Sequence, residues 1–226
     1  MTAQEMQYNF ELKLGTFHSL DKPFTSTDIA VFLNKAQDEV VKMKYSDRFG
    51  RSSERFERDE KLRLELGALV SNFSATAGQF DSSNVALHAN ALFVSLPSDY
   101  LYSLKEMCVV TYPNCNAVDT TGTARVLPIR LDEYEMNIKN PYGKPYRELV
   151  WRMDYGSTGA KRHELVHAED NTITKYNLRY LKSPISINII DGVDCQLHVS
   201  LHDEIVDRAI QIAIGSIPKL NNVTQN

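Results

Sequence analysis

One short segment of this sequence has the residue types and spacing of a hydrolytic metal site. Residues 163–167 are His-Glu-Leu-Val-His, in which two imidazoles four residues apart can bind Zn²⁺ while the glutamate activates a metal-bound water. This chemistry needs a helix, because a helix places His163 and His167 on one face. The segment therefore defines one functional hypothesis, a small zinc metallohydrolase that uses His163, Glu164 and His167.

The flanking sequence favours a strand at this position. Turn-forming residues 156–159 precede the segment and residues 170–171 follow it, so a helix between them would hold little more than the motif. As a strand, the segment would place His163 and His167 on one face and Glu164 on the other. We therefore expect these residues to form a surface hairpin.

A third zinc ligand is also missing from the sequence. Where the extended zincin pattern continues with a glycine and a third histidine, this chain has Asp170 and Ile173. Glu169 lies too close to the motif to supply a carboxylate from a following helix, and Glu204 comes only after further predicted strands. We therefore predict no catalytic, cofactor-binding or metal-ligating residue in this chain, and no cofactor.

Other candidate catalytic groups have simpler interpretations. The sequence contains no G-x-S-x-G elbow, P-loop or G-x-G-x-x-G pattern. Asp203 and Glu204, like the acidic residues of 132–135, are expected in the first turns of helices, where a negative charge is stabilised by the helix dipole. The frequent tyrosines of the central region are typical of strands and of protein interfaces.

Composition indicates a globular protein that does not bind nucleic acid strongly. The 226 residues are 42% hydrophobic and carry a formal net charge of −4, with basic and acidic residues mixed along the chain. Cys108, Cys115 and Cys195 form no C-x-x-C pair and are expected to be buried, small apolar side chains. No apolar run approaches the roughly 18 residues of a membrane span, and the first residues lack the pattern of a secretory signal.

The order of predicted elements indicates an α+β fold. Residues 1–24 are predicted to be an extended arm, because Tyr8, Phe10, Leu12 and Leu14 alternate with mostly polar neighbours. A helix over 28–45 follows N-cap candidates at 25–27, and a second helix is predicted over 54–70.

Strands dominate the predicted centre of the chain. Short strands are expected at 92–96, 107–112, 126–129, 149–155, 164–168, 173–181 and 185–190, with a short helix at 131–139 and a final helix at 201–215. We predict a helical subdomain that begins with 25–73, an antiparallel sheet or sandwich over 74–200, and a C-terminal segment 201–226 whose helix packs on the helical subdomain.

Several stretches together resemble a family of phage proteins. They are FTSTDIAVFLNKAQDEVV near the N-terminus, then LPSDYLY, VLPIRLDEYEMNIKNPYGKP and YNLRYLKSP, and finally LHDEIVDRAIQIAI. In kind and order they resemble the ring-forming head–tail adaptors and tail tubular A proteins of short-tailed phages, above all the ring proteins of crAss-like phages. The resemblance covers about residues 25–215 and does not include the segment 163–167.

The resemblance implies a structural protein of the virion. It implies a homo-oligomeric ring, usually twelvefold, that links portal and tail and surrounds the channel through which genomic DNA passes. The implied partners are other copies, the portal and further tail proteins, with transient, non-specific passage of DNA and no membrane. It implies a location in the tail or at the head–tail interface after assembly in the host cytoplasm, and no catalytic residue.

Two segments are candidates for contacts between copies. They are the mixed-charge helix at 54–65 and the N-terminal arm 1–24. The helix pairs Glu54 with Arg58, Glu57 with Lys61 and Asp59 with Arg63 at i,i+4, so it is also explained as a solvated helix face. A nucleic-acid-binding module remains a third hypothesis, which the acidic balance disfavours.

Overall fold

The N-terminal residues form a helix, so the predicted extended arm is wrong. In a computed structural model, which describes residues 1–17, 24–46, 56, 58–81, 88, 90–113, 118–140, 142–157 and 160–216, helix α1 spans Ala3–Phe17. Met6, Phe10 and Leu14 are buried, whereas Tyr8 and Leu12 are 65% and 55% exposed. Met6, Phe10 and Leu14 suit both the alternation of a strand and the i,i+4 stripe of a helix. A strand would bury Tyr8 and Leu12 on the same face, so their exposure is what distinguishes the helix.

The chain divides into two compact units, which combine helices with a sheet and confirm the α+β class. Residues 1–69 and 183–226 form a helical unit, and residues 70–182 form a sheet unit. Residues 183–200, which we predicted to be part of the sheet region 74–200, thus belong to the helical unit. None of the helices in the described ranges is long and apolar enough to cross a membrane.

Helices α1, α2 (Ser26–Tyr45), α3 (Glu60–Leu66) and α5 (His202–Ser216) build the helical unit. The predicted cap of α2 is present, because the Thr25 hydroxyl accepts from the backbone N–H of Asp28 and the Asp28 carboxylate accepts from that of Thr25. Helix α5 packs against α1 and α2. The apolar periodicity predicts a buried face that includes Ile205, Ala209 and Ile212; Ile205 and Ala209 are buried and Ile212 is half-buried.

Helix α3 covers part of the predicted helix 54–70, in which residues 56 and 58 are also helical and residue 59 is not. Its N-cap is Asp59, whose carboxylate accepts from the backbone N–H of Leu62, and a 3₁₀ turn at Gly67–Leu69 ends it. Strand β1 then begins at Val70. Residues 51–55 and 57 lie outside the described residues, so the pairs involving Glu54 and Glu57 stay predictions.

The sheet unit contains one eight-stranded sheet in the order β1-β8-β4-β5-β6-β7-β3-β2. Neighbouring strands are antiparallel except β5 and β6, which run parallel, so the expected antiparallel arrangement is nearly but not wholly met. The connection between these two strands contains α4 (Tyr134–Lys139), and a crossover of this length permits parallel pairing. The strands are β1 (Val70–Thr76), β2 (Phe80–Asp81), β3 (Ala91–Ser95), β4 (Tyr100–Pro113), β5 (Asp119–Pro128), β6 (Leu149–Ser157), β7 (Ala160–Val166) and β8 (Thr172–Lys182).

The sheet must curl, because its two edge strands are adjacent in the chain. Only the 3₁₀ turn Ala77–Gln79 separates the end of β1 from the start of β2. A flat sheet of eight strands would place its edges about 34 Å apart, whereas this connection spans at most about 14 Å. One face therefore encloses an apolar interior that includes Cys108, Val150 and Leu165. On the other face, Tyr134 of α4 packs with Trp151, Met153 and Val166.

The strand expected at 185–190 does not form. Its one regular pairing is an isolated bridge between Asn188 and Val193. The side-chain oxygen of Asn188 accepts from the backbone N–H groups of Ile190 and Asp191, and Gly192 has φ +69°, so the run folds into a tight turn. A polar side chain that hydrogen-bonds its own backbone has overridden the apolar strand pattern.

Candidate functional site: a buried polar cluster and exposed assembly surfaces

Residues 163–166 lie on β7, which pairs with β3 and β6, so the strand predicted at 164–168 is confirmed up to Val166. His163 points into the interior and is fully buried, whereas Glu164 lies on the opposite face. His167 follows the end of the strand, where its Nδ1 lies 2.8 Å from the Ala168 carbonyl oxygen. The hairpin of β6 and β7 forms as expected, but its surface position is wrong, because His163 and Glu164 are 0% and 5% exposed.

The geometry does not join the three residues of the zincin motif. A zincin needs both imidazoles on one helix face with the glutamate beside the metal. Here His163 and Glu164 are consecutive residues of a strand, so their side chains project from opposite faces of the sheet. Across the described ranges, no group of three or more His, Cys, Asp or Glu side chains is arranged to hold a metal ion.

His163 instead belongs to a hydrogen-bonded chain that crosses the interior of the sheet unit. We call Glu106, Arg152, His163 and Tyr176, from β4, β6, β7 and β8, the polar cluster. Arg152 Nη1 lies 3.0 Å from His163 Nε2, and His163 Nδ1 lies 2.8 Å from the Tyr176 hydroxyl. The Tyr176 hydroxyl donates to Glu106 Oε2 at 2.9 Å, and Arg152 Nε lies 3.5 Å from the same oxygen.

The direction of each hydrogen bond in the polar cluster follows from which of its groups can donate a proton. A guanidinium can only donate, so His163 Nε2 must accept and Nδ1 must carry the proton. Nδ1–H then donates to the Tyr176 hydroxyl, which passes its own proton toward the Glu106 carboxylate. Each of the three hydrogen bonds therefore has one donor and one acceptor when His163 is neutral.

Electrostatics keep His163 in that neutral form. Burial, followed by the positive charge of Arg152, lowers the pKa of His163 to about 3. Burial raises the pKa of Glu106 despite the opposing effect of Arg152. For Arg152, the carboxylates of Glu106 and Asp154 outweigh the effect of burial and raise the pKa. At neutral pH the cluster therefore holds a neutral histidine, and Arg152 lies within ion-pair distance of the Glu106 carboxyl group.

The polar cluster ties together distant strands of the curled sheet. Strands β7 and β8 are separated by three others, so a flat sheet would place them about 19 Å apart. The 2.8 Å contact between His163 and Tyr176 joins their side chains across the interior. The arrangement can hold the sheet in its curled form. Its side chains are largely buried: His163 is 0% exposed, and the side chains of Arg152 and Glu106 are 10% and 7% exposed.

Sequence reasoning missed three of the four members, because no local spacing connects residues on four different strands. A signal was available at Glu106, which replaces an apolar residue in the alternation of Leu104, Cys108 and Val110 on the buried face of β4. Arg152 likewise interrupts the apolar run Leu149–Met153. A charged side chain at an interior position of a strand predicts a buried partner on another strand.

Helix α1 presents a candidate assembly surface. Tyr8 and Leu12 lie one turn apart on the face opposite Met6 and Phe10, and both are more than half exposed. We call this pair the α1 patch. Large apolar side chains grouped in this way are typical of protein contact sites. The N-terminal segment thus keeps its role as a candidate interface, but as the outer face of a packed helix.

Some charged residues of the other candidate interface, the mixed-charge helix, already form contacts within their own structural unit. Glu65 of α3 is buried and lies within ion-pair distance of Lys44 and Lys61, at 3.6 and 3.8 Å. The carboxylate of Asp59 caps the helix. Leu64 remains 59% exposed. The role of residues 54–65 in contacts between copies stays a prediction.

The acidic runs lie where the dipole argument predicts. Asp203 and Glu204 occupy the first turn of α5, where Glu204 pairs with Lys44 at 2.8 Å. Asp132, Glu133 and Glu135 lie in the 3₁₀ turn and first turn that lead into α4.

Two of the three cysteines can be placed. Cys108 and Cys195 are buried free thiols, as expected, and burial raises the pKa of Cys108 to about 12. Cys115 lies outside the described residues.

Substitution of Glu164 with glutamine is expected to keep the fold and stabilise the protein by about 1 kcal/mol at neutral pH. Burial raises the pKa of Glu164, and its Oε1 has no hydrogen-bond partner among the residues that the structure describes. Because the folded state binds this proton more tightly than the unfolded state, the carboxylate destabilises the fold increasingly as pH rises through the unfolded-state pKa. Urea titrations at pH 5 and pH 8 should show a larger gain for E164Q at pH 8. An equal gain at both values would contradict this.

The comparisons with known proteins concern the whole chain. It matches the family model described as phage tail ring protein 3/4 over residues 1–225. It is similar to ring protein 4/5 of Bacteroides phage crAss001, with 28% identity over 236 residues that cover 94% of this chain and 92% of that protein. It is also similar to ring protein 3 of the same phage, with 28% identity over 240 residues that cover 97% and 98% of the two chains. These matches span both structural units.

Proposed function

Because the chain belongs to the phage tail ring protein 3/4 family, we propose that it is a structural protein that assembles into a ring in the virion of a crAss-like phage. The observation that carries this proposal is the family match over residues 1–225, which confirms the resemblance noted from the sequence. Two crAss001 proteins that are named ring proteins match over more than nine-tenths of this chain.

We further propose that the ring is twelvefold and lies in the tail or at the head–tail interface. There it links portal to tail and surrounds the channel through which the genome is ejected. Assembly takes place in the host cytoplasm, and its partners are copies of itself, the portal and other ring or tail proteins. A closed ring requires a heterologous interface, in which one surface of a copy meets a different surface of the next. The α1 patch, and residues 54–65, are the elements proposed for that interface.

The work of such a protein is geometric, and we propose that it is not an enzyme. Two features of the structure support this. His163 and Glu164 of the one catalytic-looking motif project from opposite faces of β7, and the side chains of the polar cluster are largely buried. No further observation favours the alternative, a zinc metallohydrolase that uses His163, Glu164 and His167.

Light scattering on the purified full-length chain, with zinc assayed on the same sample, tests this proposal. We expect a zinc-free ring, or a monomer that assembles into rings as its concentration is raised. A monomer at every concentration that retains one zinc per chain would overturn the proposal and make the metallohydrolase the leading hypothesis.

A further inference from the structure

One face of the sheet unit is basic although the whole chain is acidic. Three cross-strand rows run over β1, β8, β4 and β5, and their side chains point away from the interior. The rows are Asn72–Arg179–Lys105, Ser74–Asn177–Met107–Arg125 and Thr76–Lys175–Val109–Thr123. We call these eleven side chains the basic face. They include four cations and no carboxylate.

All four cations of the basic face are available to a ligand. Lys105, Arg125, Lys175 and Arg179 are exposed, and none of them forms an ion pair with another residue that the structure describes. Elsewhere in the described residues, some cations are paired with carboxylates, as at Lys13, Lys44 and Arg208, and others, such as Lys139 and Lys144, are exposed without an ion pair to a described residue. The formal net charge of −4 therefore conceals a local positive surface.

Hydrogen bonds within the basic face turn its donors outward. Arg179 Nε donates to Asn72 Oδ1 at 3.1 Å, which fixes the guanidinium and leaves both Nη groups for a ligand. The Ser74 hydroxyl donates to Asn177 Oδ1 at 3.1 Å, so the Asn177 amide presents its NH₂ group. The two amide oxygens are thus already used. A groove of about 420 Å³ is lined by Asn72, Ser74, Lys105, Met107, Asn177 and Arg179 of the basic face, together with Phe73, Glu106 and Leu178 of the same strands.

We propose that the basic face binds the phosphate backbone of duplex DNA. Lysine, arginine, asparagine, serine and threonine are the side chains that contact phosphates, and an outward array of donors suits a ligand that presents only acceptors. No row contains an aromatic side chain on which an unpaired base could stack, which excludes the usual mode of single-strand binding. Met107 and Val109 are its only large apolar residues, so it lacks the apolar centre of a typical protein interface.

The number of cations sets the strength of this contact. Four phosphate contacts give a slope of at most about −3.6 for the logarithm of the binding constant against the logarithm of salt concentration. Binding by one copy is therefore weak, independent of sequence and easily reversed. In an assembled ring the same face is repeated, and its combined contacts would hold a duplex while still allowing it to slide.

The face itself is defined by the sheet unit alone, but its use on a genome passing through a ring rests on the proposed function. The two claims fail separately. If the protein forms rings but does not bind DNA, the proposal for the basic face fails. If it does not form rings, the proposed function fails. Oligomeric state is therefore measured on every sample used for DNA binding.

The test compares two charge-reversal variants of the full-length chain. K105E/R179E changes two cations of the basic face, and K139E/K144E makes the same change in net charge at exposed lysines on and after α4. Binding to a fluorescent duplex of mixed sequence is followed by anisotropy over a series of NaCl concentrations. We expect K105E/R179E to lose at least about tenfold in affinity and to reduce the salt slope by about 2, with little change for K139E/K144E.

Three results would overturn the proposal. One is an unmodified protein that does not bind the duplex at low salt. Another is an equal loss in both variants, which would indicate net charge rather than a defined face. The last is a K105E/R179E variant that binds DNA normally but no longer forms rings, which would assign the face to contacts with a protein partner.

Discussion

Replacing Arg152 with methionine is expected to lower the free energy of unfolding of the sheet unit by about 3–5 kcal/mol. The Arg152 side chain is 10% exposed and lies 3.5 Å from the carboxylate of Glu106, which is 7% exposed. Methionine fills much of the same volume but leaves this carboxylate in an apolar interior without its counter-charge. The Tyr176 hydroxyl remains as a donor to Glu106, and it cannot replace a full positive charge.

Tryptophan fluorescence reports on unfolding of the sheet unit, because Trp151 is the single tryptophan of the chain and is buried on the opposite face of β6 from its neighbour Arg152. Urea titrations would compare R152M with R130M, which breaks the exposed pair of Arg130 and Asp132 and should cost less than about 1 kcal/mol. The double variant R152M/E106L should recover most of the loss, since it removes both charges. A loss for R152M no larger than that for R130M would contradict a structural role for the cluster.

The same substitution has an expected pH dependence. Burial raises the pKa of Glu106, and removal of Arg152 takes away the positive charge that opposes this rise. As pH falls and Glu106 becomes protonated, it no longer needs a counter-charge, so the deficit of R152M relative to the unmodified protein should shrink toward acidic pH. A deficit that grows on acidification would contradict this electrostatic explanation.

Replacing Tyr8 and Leu12 together with glutamate is expected to abolish ring assembly while the monomer stays folded. Both side chains are mostly exposed, whereas Met6 and Phe10 hold α1 in the core of its unit. A carboxylate buried in an interface without a partner costs several kcal/mol, so the concentration needed for assembly should rise at least about 100-fold. Deleting residues 1–24 would be a poorer test, because it would also remove the buried side of α1.

Light scattering over a concentration series, with circular dichroism as the test of folding, measures this outcome. M136E is the matched control, since Met136 is 72% exposed on α4 of the other unit. We expect M136E to assemble like the unmodified protein and Y8E/L12E to remain monomeric with unchanged helix content. Normal assembly of Y8E/L12E would remove the α1 patch from the proposed interface.

Local signals in the sequence were sufficient for several elements. Thr25 and Asp28 form the cap expected for α2, and most of the apolar positions that spacing predicts for α2 and α5 are buried, although Met43 is 50% exposed. The turns flanking residues 163–167 correctly predicted a strand from a motif that resembles a helical metal site. These features depend on neighbours within a few residues, which a single sequence displays directly.

Features that depend on distant contacts could not be predicted in the same way. The pattern of residues 8–14 fits a strand and a helix equally, and packing in the helical unit decides between them. The turn at Asn188 replaces an expected strand through side-chain bonds to the backbone. The polar cluster and the basic face each join residues from several strands, so they follow from the order and register of the sheet rather than from any local motif.

Electron microscopy of the purified full-length protein tests the central claim most directly. At concentrations where light scattering detects assemblies, class averages should show closed rings with a single rotational symmetry and an open centre. Such rings should be absent from the Y8E/L12E variant and present for M136E. Open filaments or irregular aggregates from the unmodified protein, or monomers alone at every concentration, would contradict the proposal that this chain closes into a ring.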